Sequence, residues 1–297
     1  MPGLGVCTFV DTSKARAERL SQMTRHGVHP NGIDTIVLIH GLWVTTLSWE
    51  HWISRYRARG YRVLAPNWPG MEAGIEDLRR NPSVISRLGV TEIADHYDHL
   101  VRALYPPPVI IGHCLGGLVV QILLDRGLGA AGVAIDPAPA GGVRKPSFSM
   151  PTPGLTALCH PASSRRTISL GPRQFHRAIA NTLSRPDAAA VHDRYHVPGP
   201  GRAVRQISSG KFAQPAATYV DFGTTQRAPL LLIADGKDRI FPAAVTRSSF
   251  HRYRASAAIT AYQEFPARSH YTIGEPGWEQ VADYALRWAV ENALNET

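Results

Sequence analysis

Cysteine is scarce in this chain: Cys7, Cys114 and Cys159 are the only three among 297 residues. So few thiols cannot build a disulfide framework, which points away from a small disulfide-stapled secreted domain. Long apolar runs are missing too; none approaches the roughly twenty residues that span a bilayer. The first twenty residues lack a secretory pattern, because Asp11, Lys14, Arg16, Glu18 and Arg19 interrupt any apolar stretch. Together these absences favour a cytoplasmic protein with no membrane partner. Acids are in deficit, 23 against 32 Lys and Arg, for a net charge of +9. The imbalance is local. Residues 143–227 hold twelve Lys or Arg against Asp187, Asp193 and Asp221, and the rest of the chain is balanced. A basic excess confined to one segment is not read as nucleic-acid binding. It fits a solvated Arg-rich surface, an anionic ligand or an acidic partner. No nucleotide, flavin or metal motif appears, so neither cofactor nor metal is expected. His192 and His196, four apart on an expected helix, have no evident acidic third ligand and read as a polar face or pocket lining.

Hydrophobic residues make up 44% and charged residues 19% of a chain long enough for one large α/β domain with an insertion. Its centre is Val109-Ile110-Ile111-Gly112-His113-Cys114-Leu115-Gly116-Gly117-Leu118. A short apolar run rich in β-branched residues reads as a strand covered on both faces, followed by a tight turn at Cys114 and a helix. That helix aims its N-terminus at residue 114 and favours negative charge there. Further apolar runs at Thr35–Ile39, Tyr61–Pro66, Ala131–Ile135, Pro229–Ala234 and Ile259–Phe265 read as strands. Between them, helices are expected from Ser48 to Arg59 and from Thr91 to Tyr105, with a closing amphipathic helix over Trp278–Leu294. A short helix is expected between Ser13 and Met23 and a loop over residues 26–32. Strand–helix–strand alternation implies parallel strands joined by crossovers. Residues 143–227 break it with many Pro and Gly, helical pieces near Pro172–Leu183 and Pro186–Tyr195, and a turn at Pro198-Gly199-Pro200-Gly201.

The G-x-C-x-G pattern around Cys114 resembles the nucleophile elbow of the α/β-hydrolase superfamily, with Cys where Ser is usual. Other segments share the resemblance. His40-Gly41-Leu42-Trp43 resembles the oxyanion-loop motif, Asn67-Trp68-Pro69-Gly70 resembles the D-x-P-G turn, and Asp238 stands four residues before Pro242. Ser269-His270 follows the last strand, where the family carries its histidine. The resemblance implies an α/β-hydrolase fold: a mostly parallel central sheet flanked by helices, with an inserted, mainly helical cap. The core would be residues 1–142 and 228–297, and the cap 143–227. It further implies a Cys114–His270–Asp238 triad, oxyanion donors at the backbone N–H of Leu42 and Leu115, and substrate contacts from Trp43 and His113. His40 would be structural, Cys159 packing, Asp136 a second candidate acid and Asp235 peripheral.

The function so implied is an acyl hydrolase of esterase or thioesterase type, working through a covalent acyl intermediate on Cys114. Its substrate would be a small acyl compound, carrier- or CoA-linked in one variant. Acyl transfer or off-loading cyclisation is the alternative, since a basic cap suits an anionic carrier. A Ser→Cys variant of a serine hydrolase, a non-catalytic binding protein on the same scaffold, and a lyase reaction without acylation also fit the pattern. Neither the oligomeric state nor the acyl acceptor is legible in the sequence.

Overall fold

The computed structural model describes residues 32–143, 165–208 and 217–293. The expected helix at Ser13–Met23, most of the loop at 26–32, Cys7 and Cys159 lie outside the described residues. Six strands form one sheet: β1 (Thr35–Ile39), β2 (Arg62–Leu64), β3 (Val109–His113), β4 (Ala131–Ile135), β7 (Leu230–Asp235) and β8 (Thr260–Phe265). Their spatial order is β2-β1-β3-β4-β7-β8 and every pairing is parallel. The register sets Ile39 beside Gly112 and His113 beside Ile135, so the C-terminal ends of β1, β3 and β4 share one edge.

Alternation along the strands separates two apolar layers. Ile36 and Leu38 of β1, Val109 and Ile111 of β3, and Leu231 and Ile233 of β7 face one side. There they pack on Trp49, Trp52 and Tyr56 and on Val281, Ala285 and Ala289. Val37, Ile39, Ile110, Leu230 and Leu232 face the other. The first layer is closed by α1 (Glu50–Arg57) and by a C-terminal helix over Trp278–Asn292. Trp52 Nε1 donates to Ile273 O at 2.8 Å and Tyr56 Oη to Ala282 O at 2.8 Å, so these large side chains bury area without leaving a polar atom unpaired.

After α2 (Ile75–Arg80) comes α3 (Val90–Arg102). The latter presents Ile93, Tyr97 and Val101 to the core. Its N-cap is Gly89, whose N–H donates to the Glu92 carboxylate at 3.1 Å. At the earlier helix the capping side chain is Thr45 rather than Ser48: a 3-10 turn over Thr46–Trp49 precedes α1, and Thr45 Oγ1 accepts from Leu47 N. α4 (Leu115–Asp125) is buried from Leu115 through Leu124 and has almost no polar face, as expected for a helix packed on all sides.

The basic segment contributes a small two-stranded ribbon, β5 (Thr167–Ile168) against β6 (Gly199–Pro200), with α5 (Pro172–Ala178), α6 (Arg185–Tyr195) and α7 (Gly201–Ser208). The Pro198–Gly201 stretch expected as a turn is therefore a strand passing into a helix. Its hydrogen bonds go to Ile168 and Thr167, more than thirty residues away, and local composition carries no trace of them. The core resumes with β7, followed by α8 (Ala243–Tyr253), β8 and α9, the helix over Trp278–Asn292. Among the described residues no helix is long and apolar enough to cross a membrane.

Candidate active site

Cys114 sits between β3 and α4 with φ 58° and ψ −118°. A side chain in this region is strained and persists only where its surroundings over-determine it. Here they do. Cys114 N donates to Ile135 O at 2.9 Å, while Cys114 O accepts from Ala138 N at 2.9 Å and Gly117 N at 3.1 Å. The flanking glycines permit the turn: a Cβ at Gly116 would sit on the carbonyl oxygen of Ile39, and one at Gly112 on that of Gly116. Gly41 likewise lets the loop after β1 lie against the thiol, since a Cβ there would come within 2.7 Å of Cys114 Cβ. Leu42, next along this loop, and Leu115, the first residue of α4, are both buried. Leu115 N–H belongs to the first turn of a helix, where the amides lack an intrahelical acceptor.

His270 is 1% exposed and its Nδ1 donates to Asp238 Oδ2 at 2.8 Å. Asp238 Oδ1 accepts from Ile240 N at 2.6 Å and Phe241 N at 2.9 Å, which fixes the carboxylate. With Nδ1 committed, Nε2 is left for Cys114. Burial opposes the imidazolium, but the charges of Asp238 and Cys114 and their hydrogen bonding outweigh it and raise the His270 pKa to about 10. Nε2 has no other hydrogen-bond partner among the described residues, which leaves it to the thiol.

His113 Nε2 donates to the carbonyl oxygen of His270 at 2.8 Å, and the two rings lie 4.7 Å apart. Burial, then the neighbouring His270 charge, pushes His113 well below its ordinary pKa, so it is neutral. It holds the main chain that carries His270. His40 is also neutral, lowered to about 4 by burial against the opposing effect of its bond to Gly41. Its Nδ1 donates to Gly41 O at 3.0 Å and its ring stacks on Trp68 at 4.4 Å, which fixes the loop carrying Leu42.

A model of the alpha/beta hydrolase family matches residues 36–284. The chain belongs to the alpha/beta hydrolase family. Solved structures of similar fold include a monoacylglycerol lipase from Paleococcus ferrophilus, at 23% identity and TM-score 0.62 over 87% of this chain and 95% of that one. Polyneuridine aldehyde esterase matches at 15% identity and TM-score 0.60 over 86% and 99%. A pyrethroid hydrolase from Sphingobium faniae matches at 18% identity and TM-score 0.60 over 86% and 97%. At such identities the likeness is one of fold. No curated protein sequence matches the chain.

On this hydrolase scaffold, two acids are buried behind the histidine, and one of them departs from expectation. Asp235, expected to be peripheral, is fully buried at the end of β7. Its backbone N–H donates to Asp136 Oδ1 at 2.9 Å. Asp136, also fully buried, has φ 43°. Burial, then the charges of Asp235 and Asp238, raises the Asp136 pKa well above its ordinary value. Burial also raises Asp235, to about 7, with hydrogen bonds to Asp136 and Thr272 opposing. Two carboxylates so close cannot both ionise, and the pair holds a proton near neutral pH. Ligand-capable atoms of His113, Asp136 and His270 lie within 4.8 Å of one another. A metal there would occupy the imidazole that faces the thiol.

The acid pair makes a stability prediction. Between about pH 4 and 7 the folded state keeps a proton on Asp235 that the unfolded chain has released, so this group's contribution falls as pH rises across that window. Asp235→Asn abolishes the titration. Its melting temperature relative to the unsubstituted chain should rise by a few degrees from pH 4.5 to pH 7.5. A gap that does not change with pH would show that Asp235 carries no such proton.

Trp43 is tied to the basic segment. Trp43 (φ 65°) donates from Nε1 to Ile168 O at 3.1 Å and accepts Val197 N at 2.9 Å on its carbonyl. His192 and His196 stack at 4.4 Å and bracket the Leu170 peptide: His192 Nε2 donates to Leu170 O at 2.9 Å, and Leu170 N donates to His196 Nε2 at 3.1 Å. They clasp the chain between β5 and α5 to the C-terminal end of α6. Sequence reasoning missed Glu275, a buried acid that accepts Ser269 N at 3.1 Å and Ser269 Oγ at 2.8 Å and also meets Thr182. Tyr271 N donates to Ile179 O at 3.0 Å. The loop carrying His270 is thus fastened to the segment after α5. The sequence signal for Glu275 was only an acid in a Gly- and Pro-containing loop, which ordinarily reads as solvated.

Proposed function

We propose that the protein is an acyl hydrolase of esterase or thioesterase type, with Cys114 as nucleophile, His270 as acid and base, and Asp238 as the residue that orients and charges the imidazole. The observation that carries this reading is the His270 environment: Nδ1 bonded to a buried carboxylate, Nε2 turned to Cys114, and a pKa raised to about 10. His270 takes the thiol proton as the sulfur attacks, or already holds it in a thiolate–imidazolium pair, and either way the sulfur is made nucleophilic.

In this reading Cys114 Sγ attacks the acyl carbon, and the carbonyl oxygen takes up negative charge facing Leu42 N–H and Leu115 N–H at the α4 N-terminus. As the tetrahedral intermediate collapses, the bond to the leaving group breaks and that group takes the His270 proton, leaving a thioester on Cys114. Water then attacks the thioester. His270 accepts its proton, the carbon–sulfur bond breaks, and acid and thiolate are released with the imidazolium restored. Asp238 remains ionised throughout and stabilises the imidazolium.

Intact-protein mass after brief exposure to activated esters and acyl thioesters tests this. An acyl adduct should appear on the unsubstituted chain, decay as product forms, and be absent in Cys114→Ala. Full turnover by Cys114→Ala would overturn it. Cys114→Ser separates a native thiol enzyme, in which Ser stalls, from a serine hydrolase scaffold, in which Ser is faster.

A further inference from the structure

Four arginines line one open cavity of about 390 Å³: Arg87, Arg165, Arg202 and Arg205. Arg87 comes from the core, in the loop before α3; the other three come from the cap. The two parts are fastened together, since Arg202 Nη1 donates to Arg87 O at 3.1 Å; within the cap, Gly201 N donates to Arg166 O at 2.9 Å. One carboxylate is known to meet the group: Glu92, on Arg202 Nη1 at 2.5 Å. Among the described residues Arg87 and Arg165 have no acidic partner. The nearby helix N-terminus adds no donors, because Gly89 N and Val90 N are already bound to Glu92 and Gln206.

Arg87 and Arg165 bring two guanidinium groups without an acidic partner among the described residues to one cavity that Arg202 and Arg205 also line, and an anion there would be attracted to all of them. A carboxylate ligand would balance only one of those two charges. A phosphate or pyrophosphate carries two or more charges, and its oxygens match the planar donor forks of several arginines at once. We propose that this pocket binds a phosphate-bearing ligand. Arg165 lies only three residues, at most about 10 Å of chain, from Ile168, whose carbonyl accepts Trp43 Nε1. The pocket is therefore linked through β5 to the loop carrying Leu42. The phosphate belongs either to the handle of an acyl substrate or to a separate effector. The inference rests on the arginine cluster and not on the role given to Cys114.

Calorimetric titration of the full chain with inorganic pyrophosphate at low salt should show saturable binding. Arg87→Gln/Arg165→Gln should weaken it at least about tenfold, while Arg173→Gln/Arg254→Gln, with the same loss of charge at exposed positions elsewhere, should not. Thermal unfolding of both double variants checks that the fold persists, and Arg87→Lys/Arg165→Lys should retain part of the binding. No saturable binding, or equal weakening in both Gln pairs, would overturn the proposal. Kinetics separate the sources. A substrate handle makes the Arg87/Arg165 substitutions lower kcat/KM for an acyl-CoA but not for the same acyl pantetheine, whereas an effector makes pyrophosphate change turnover of a neutral ester. Because the titration needs no turnover, its failure is distinct from failure of the Cys114 mechanism.

Discussion

Asp238→Asn should lower kcat/KM for ester or thioester substrates by about 10⁴-fold, equivalent to about 5 kcal/mol at 1.36 kcal/mol per decade, while leaving the fold intact. The amide oxygen can still accept from Ile240 N and Phe241 N, as the carboxylate does at 2.6 and 2.9 Å. What changes is the group facing His270 Nδ1. An amide N–H there requires Nδ1 to accept, which moves the imidazole proton to Nε2, on the side of Cys114. The ring then cannot take the proton that the thiol or attacking water must give up. The substitution also removes the Asp238 charge that supports the imidazolium, so the His270 titration, followed by NMR, should fall sharply. Steady-state kinetics and that titration together check the expectation. A loss of less than tenfold would assign the acid to Asp136, which lies within reach of the same cluster, and Asp136→Asn would then carry the large effect.

Gly116→Ala should destabilise the protein by at least about 3 kcal/mol, lowering the melting temperature by about 5 °C or more. The added methyl would strike the backbone carbonyls of Ile39 and His40, so no side-chain rotation relieves it. β1 or α4 must move, and with either goes the loop bearing Leu42 or the turn bearing Cys114. Gly74→Ala is the matched control. Gly74 has φ −62° and no atom within 4 Å of a built Cβ, so its cost should stay below about 1 kcal/mol. Thermal unfolding measures both. A Gly116→Ala protein as stable as the unsubstituted chain would mean that the elbow is far looser than its geometry implies.

The core strands were legible because parallel strands buried on both faces read as plain apolar runs: Val109–Ile111 and Leu230–Ile233 can be little else. The elbow was legible because its backbone contacts exclude any side chain at Gly112 and Gly116. The resemblance singled out Asp238 and His270, and the structure brings them together with Cys114. The cap was harder. β6 exists through bonds to Thr167 and Ile168, and His192 and His196 are defined by the Leu170 peptide between them. Neither relation leaves a periodic signal. Asp235 read as peripheral because the family it resembles more often carries Gly at that position. Its burial follows from Asp136, 99 positions earlier, accepting its amide. The arginine pocket needed four residues from two separated segments, where the sequence showed only a regional surplus of charge.

Trp43 joins the loop after β1 to the ribbon segment, a link that contact with substrate alone would not make. It stands beside Leu42 at positive φ, and its two hydrogen bonds to Ile168 and Val197 hold it there. Lifting the ribbon of β5 and β6 from the core would break both bonds and free the loop to leave its strained backbone state. In the proposed mechanism, access and transition-state stabilisation then belong to a single conformational equilibrium. Substitutions in the ribbon segment remote from any bound molecule would accordingly register in turnover as well as in affinity.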